Sequence, residues 1–116
     1  MARKKMAEVA EGIYLEPVPV TLGDEIRIKY KGMLSKTGSG KIYLHAGFGY
    51  GEWSNVQTIP MRKTRDGAWS ARIKVTDDSR LNFCFRDEAN NWDNNTGRNW
   101  SYEIHNGSLP ELGEQI

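Results

Sequence analysis

Apolar and polar side chains alternate at every second position through most of this chain, and few folds accept such a pattern. Ile26, Ile28 and Tyr30 alternate with Arg27, Lys29 and Lys31. Ile42 and Leu44 alternate with Tyr43 and His45, and Trp69, Ala71, Ile73 and Val75 with Ser70, Arg72 and Lys74. Leu81, Phe83 and Phe85 alternate with Asn82, Cys84 and Arg86, and Trp100, Tyr102 and Ile104 with Ser101, Glu103 and His105. Successive side chains of a strand point to opposite faces, so each run describes a strand with one buried face and one wet face. Weaker runs over 13–18 and 56–61 complete the set. Pro17, Pro19 and Pro60, which cannot donate to a ladder, mark strand ends or a sheet edge.

Turn residues separate the runs: Leu22-Gly23-Asp24, Thr37-Gly38-Ser39-Gly40, Arg65-Asp66-Gly67, Thr76-Asp77-Asp78 and Asn94-Asn95-Thr96-Gly97. No segment has helical periodicity. This pattern predicts an all-β fold, an immunoglobulin-like antiparallel β-sandwich of about seven strands. The Cys-Trp-Cys signature of true immunoglobulin domains is absent. At 116 residues the chain has material for one core. The expected organisation is a flexible N-terminal tail over 1–11, a sandwich over 12–107 and a C-terminal tail over 108–116.

Sixteen basic residues stand against 15 acidic ones, so nothing draws the chain to nucleic acid or an anionic membrane. The basic Arg3-Lys4-Lys5 segment is short and reads as a solvated tail. The one cysteine, Cys84, permits no intramolecular disulfide and no cysteine-based metal site; it falls in an apolar run and reads as a buried, inert thiol. No apolar stretch is long enough to cross a bilayer, and Met1–Ala10 lacks the apolar core of a signal peptide. The expected location is therefore cytoplasmic for the chain as it stands, or extracellular for a piece of an exported protein. A monomer or weak dimer is expected, with no cofactor and no metal site; calcium at the Asp- and Asn-rich loops is left open.

Catalysis finds little footing. A glycoside hydrolase needs two carboxylates about 5–10 Å apart across a cleft. Asp87, Glu88 and Asp93 are available, but they look like turn residues. Zinc-binding His-Glu-x-x-His, a Gly-x-Ser-x-Gly elbow and a phosphate-binding glycine loop are all missing, and the two histidines, His45 and His105, are far apart in sequence. The chain is expected not to be an enzyme.

The informative residues are aromatics that the core pattern does not absorb. Trp69, Phe83, Phe85, Trp100 and Tyr102 fall on the apolar phase of strands and read as core. Trp53, in Tyr50-Gly-Glu-Trp-Ser-Asn55, and Trp92, in Asn90-Asn-Trp-Asp-Asn-Asn95, have no apolar neighbours at strand spacing. His45 lies on the polar phase of its strand, near Trp53 in sequence. Two readings stand on spacing alone. Loop tryptophans fold back to cap a sandwich, or they are presented to a ligand with an apolar face. A pyranose ring is such a ligand: its axial C–H face stacks on indole while its hydroxyl edge seeks amide, carboxylate or imidazole partners. A protein-interaction module of immunoglobulin type would use the same exposed rings to dock a peptide or partner domain.

A family resemblance weighs on that choice. Glu25-Ile-Arg-Ile-Lys-Tyr-Lys31, Lys41-Ile-Tyr-Leu-His-Ala-Gly-Phe-Gly49 followed by Glu52-Trp-Ser54, Met61 through Gly67-Ala-Trp69, Leu81-Asn-Phe-Cys-Phe-Arg-Asp87 and Asn91-Trp-Asp-Asn-Asn-Thr-Gly-Arg-Asn-Trp100 occur in that order. Together they resemble the starch-binding carbohydrate-binding modules of family 25 and the related family 53, across roughly residues 12–106. The resemblance implies a non-catalytic module for an α-1,4-glucan polysaccharide or maltooligosaccharide, of starch or glycogen type. It implies a sugar platform of His45, Trp53 and Trp92, with Asn94 and Asn95 in the polar part of the motif and Tyr50 beside the groove.

Overall fold

In the computed structural model, which describes residues 5–38 and 40–106, each of the alternating runs is a strand. They are β2 (Ile13–Glu16), β3 (Glu25–Tyr30), β4 (Ile42–Phe48), β5 (Ser54–Pro60), β7 (Trp69–Lys74), β8 (Arg80–Asp87) and β10 (Trp100–Glu103). Three short strands join them: β1 (Ala7–Ala10), β6 (Arg62–Lys63) and β9 (Trp92–Asp93). Among the described residues the one helical segment is a 3₁₀ turn over Met33–Lys36.

The strands form two antiparallel sheets. One has the order β1-β2-β3-β7-β6; the other runs β10-β8-β4-β5, with β9 also paired to β8. The apolar phases meet between the sheets in one hydrophobic cluster, as period two requires of a sandwich. Ile26, Ile28 and Tyr30 of β3, Leu44 of β4, and Phe83 and Phe85 of β8 are wholly buried in it. The aromatics read as core pack there: the Phe83 ring lies 5.7, 6.1 and 5.9 Å from those of Phe85, Trp100 and Tyr102.

The N-terminal segment differs from the expected tail over 1–11. From Ala7 the chain is strand β1, paired with β2, and Val9 and Ala10 pack on the core. The Glu8 carboxylate accepts a hydrogen bond from the Gly12 amide at 3.0 Å and ties down the β1–β2 turn. Two alanines, a glutamate and one valine carry too little apolar mass to announce a strand. Residues 1–4 and the expected C-terminal tail, 108–116, lie outside the described residues. The prolines sit as anticipated: β2 stops before Pro17, and β5, which ends at Pro60, is an edge strand.

Candidate functional site

The inward side chains of β4 are Ile42, Leu44, Ala46 and Phe48, so Tyr43, His45 and Gly47 belong to the opposite, outer face. Register extends this face across the sheet. Tyr43 pairs with Arg86, His45 with Cys84 and Gly47 with Asn82 on β8, while His45 pairs with Thr58 on β5. His45 Nδ1 lies 2.9 Å from Thr58 Oγ1, which fixes the imidazole plane. No hydrogen bond within the described residues occupies its Nε2.

Trp53 comes to this face from the β4–β5 loop, and its ring centroid lies 5.9 Å from that of His45 at an interplanar angle of 35°. The indole is half-buried rather than bare, because its Cβ rests where a side chain at position 47 would stand. The loop is held from below. Asn82, itself buried, donates to the Gly49 carbonyl at 3.0 Å, and Ser101 Oγ donates to Asn82 Oδ1 at 2.7 Å.

Trp92 arrives from the other side, on the short return strand β9 opposite Arg86. The turn before it is built by Asp87. Its carboxylate accepts hydrogen bonds from the amides of Ala89 and Asn91, both at 2.9 Å, and from Asn91 Nδ2 at 3.0 Å. Asn90 takes the left-handed conformation that closes the turn, at φ 64°. The Trp92 ring meets His45 edge-on, 5.4 Å away at 84°. It remains 43% exposed, the aromatic of the trio that is most open to solvent. His45 thus stands between two indoles whose own N–H groups make no hydrogen bond within the described residues.

Asp93 is the clamp that holds β9 down. The Tyr30 hydroxyl donates to Asp93 Oδ2 at 2.6 Å and accepts from the Leu34 amide at 2.9 Å, while its ring stacks on Phe85 at 4.0 Å. Burial, then the hydrogen bond to Asp93, raises the Tyr30 pKa far above that of a free phenol. Tyr30→Phe would leave the Leu34 amide and the Asp93 carboxylate short of a partner. A loss of about 1–3 kcal/mol is expected in urea unfolding.

Asn94 and Asn95 shape the following loop. Asn94 Oδ1 accepts from the Gly97 amide at 2.9 Å, and Asn95 Nδ2 donates to the Asn99 carbonyl at 3.0 Å. Asn95, Thr96 and Asn99 all take positive φ, where asparagine is better tolerated than most residues. Tyr50, 81% exposed at the tip of the β4–β5 loop, makes no ring contact with the platform. Two positions not among the expected site residues join this face: Tyr43, which the sequence already sets on the polar phase of β4, and Arg86, its partner on β8. The Arg86 guanidinium lies 4.5 Å from the Tyr43 ring centroid and 6.0 Å from that of Trp92, so it braces both rings. Their signal was available: both fall on the same strand phase as His45.

Burial and then the Arg86 charge lower the His45 pKa below its ordinary value of 6.5. The imidazole is therefore neutral at neutral pH, a hydrogen-bonding group rather than a charge. Cys84, beneath the rings, is buried, and its thiol is pushed up to about 11 by burial and by the Asp93 carboxylate, so it stays protonated and inert. Of the carboxylates considered for catalysis, Asp87 closes a turn and Asp93 clamps β9, while Glu88 lies exposed. The cavities lined by Glu16, Pro17, Glu25, Arg27 and Arg72, and by Ile59, Pro60, Arg62, Ser70, Ala71 and Arg72, lie elsewhere; a third reaches Asp93 from Glu11, Lys31 and Met33, and none of these is lined by His45, Trp53 or Trp92.

Comparison with known proteins places the chain in a family. A family model described as a starch/carbohydrate-binding module (family 53) matches residues 26–83, half of the chain. An alpha-amylase of Clostridium acetobutylicum is 39% identical over 91 residues, which cover 78% of this chain and 11% of that protein. The chain thus spans about a tenth of the curated relative it matches. The solved structure of an iodinated family 25 module from a Bacillus halodurans amylase aligns with a TM-score of 0.52 at 26% identity, covering 74% of this chain and 89% of that one. The matching residues include β4 with His45, the loop carrying Trp53 and the first half of β8, and on these grounds the chain belongs to the starch/carbohydrate-binding modules of family 53, with a family 25 module as its structural kin.

Proposed function

We propose that the protein is a non-catalytic α-glucan-binding module, in which Trp53 and Trp92 stack on glucose units to either side of His45. The observation that carries this reading is the tilt of the platform. The two indoles make angles of 35° and 84° with the same imidazole, so they are far from coplanar. A flat β-1,4 chain asks for coplanar rings, whereas the helically curved α-1,4 chain turns its successive sugar faces. Each stacked ring adds about 0.5–1.5 kcal/mol beyond its buried area, which with a few hydrogen bonds gives roughly micromolar to millimolar affinity. The His45 Nε2 and the indole N–H groups are the hydrogen-bonding atoms left over for sugar hydroxyls.

An open platform accepts a polymer anywhere along its length, which suits attachment rather than cleavage. The likeness to a segment of an amylase supports a role in holding glucan beside a catalytic domain, and an extracellular one, where an undigested polymer is met. Calorimetric titration with maltoheptaose tests the reading, with binding expected. Retention on amylose while a peptide library goes unbound separates it from a protein-docking role.

A pH dependence follows from His45. Its pKa is lowered in the folded protein, so the unfolded chain binds the proton more readily. The neutral, folded form is favoured fully above about pH 6.5, and stability declines as the pH falls below that value. Protonation also sets a second positive charge beside Arg86. Maltoheptaose affinity is expected to be level from about pH 8 to 7 and to fall on acidification below the ordinary histidine range. His45→Gln should bind more weakly throughout and lose that slope, as titrations across the pH series would show.

A further inference from the structure

The outer face of β4 presents Tyr43, then His45, then a position with no side chain, Gly47. A Cβ built at Gly47 would stand 2.9 Å from Trp53 Cβ, 3.1 Å from the Ser54 carbonyl oxygen and 3.1 Å from Val56 Cγ2. None of these is the far end of a flexible side chain. The first and third are fixed at or next to a Cβ, and the second is backbone, so the crowding falls on the chain from Trp53 to Val56. The pairing of β4 with β5 breaks at the same place. Ala46 faces Gln57 and Phe48 faces Ser54, so Gly47 alone opposes Asn55 and Val56. One residue against two is a bulge, which bends its strand and re-aims its side chains. Asn55 supplies the left-handed conformation at φ 53°, and its Nδ2 is 3.1 Å from Thr76 Oγ1.

We propose that Gly47 is a positioning residue for the glucan site: the hydrogen in place of its side chain, set opposite the Asn55 bulge, is the seat that holds Trp53 against His45 at its 35° tilt. The role in binding rests on the glucan reading above; the seating of Trp53 does not. Any larger residue at 47 lifts the indole off the sheet and changes the curvature that the platform offers to a sugar chain.

The experiment compares Gly47→Ala with Gly51→Ala, a glycine of the same loop whose Cβ would meet nothing within 4 Å. Protein labelled with 5-fluorotryptophan reports Trp53 through its fluorine resonance, assigned from Trp53→Ala, and maltoheptaose titrations report binding. Gly47→Ala is expected to shift the Trp53 resonance and weaken binding at least about tenfold, while Gly51→Ala leaves both unchanged. Added to Trp53→Ala, Gly47→Ala should cost less than about twofold, because its effect passes through that ring. Asn55→Val attacks the same seat from the exposed edge strand without touching β4, since a β-branched residue resists positive φ, and it should shift the same resonance. That variant decides the matter if alanine at 47 fails to fold. An unmoved Trp53 resonance in Gly47→Ala or in Asn55→Val overturns the proposal. So does a further loss of fivefold or more when Gly47→Ala is added to Trp53→Ala. If Trp53→Ala itself binds maltoheptaose normally, the glucan reading fails, and the fluorine resonance still decides whether Gly47 seats the ring.

Discussion

Trp92→Ala is expected to lower maltoheptaose affinity at least about tenfold, equivalent to about 1.4 kcal/mol, while the domain unfolds at nearly its normal temperature. The separation of the two effects follows from where the ring sits. Trp92 is 43% exposed on the outer face, and its backbone is placed by the Asp87 turn, by pairing with Arg86 and by the Asp93–Tyr30 hydrogen bond. None of these needs the indole. Removing it takes away one stacking surface, one N–H donor and the edge contact that flanks His45. Surface substitutions away from caps and cores usually change stability by no more than about 0.5 kcal/mol, although loss of the contacts to Arg86 and His45 adds a little here. Calorimetry paired with thermal unfolding reads both quantities. Wild-type affinity in the variant would remove Trp92 from the site.

Phe83→Ala should do the reverse. Phe83 is wholly buried on the inner face of β8, the strand that both β4 and β10 flank, and its ring packs against Phe85, Trp100 and Tyr102. Truncation removes the transfer free energy of a benzyl group and leaves a cavity that three rigid rings cannot close, a cost of roughly 3–5 kcal/mol. Domains of this size are stable by about 5–15 kcal/mol in total, so a large part of the folding equilibrium is lost. Urea unfolding followed by circular dichroism measures it. The folded fraction that remains should still bind maltoheptaose, because Phe83 faces away from the rings. A loss below about 1 kcal/mol would mean that the inter-sheet core is not organised around this cluster.

The contrast between these substitutions was already legible in strand phase. Phe83 alternates with polar residues, whereas Trp92 stands among asparagines, and that difference separates packing from presentation without coordinates. Six of the seven principal strands were readable for the same reason, since a half-buried strand writes its two faces into consecutive residues; β5, exposed along nearly its whole length, gave only a weak run. What escaped the sequence depended on partners far along the chain. Asp93 looked like a turn residue, yet its carboxylate is bound by Tyr30, 63 positions away. Asn94 and Asn95 matched the binding motif, yet their amides are engaged in holding their own loop. For Trp53 the sequence left capping and presentation both open; the vacancy at Gly47 receives it across the β4–β5 pair, half-buried, and no local pattern marks a seat made by a missing side chain. β1 went unseen because pairing with β2, rather than apolar periodicity, keeps it in place.

The proposed stacking of α-glucan on this protein rests on the lack of coplanarity between two indoles that flank one imidazole. Its most direct test is titration of the intact protein with maltoheptaose and, separately, with cellohexaose, following tryptophan emission. Saturable change with the α-1,4 oligosaccharide and none with the β-1,4 one is the expected result. Equal responses to both, or a response to cellohexaose alone, would contradict it.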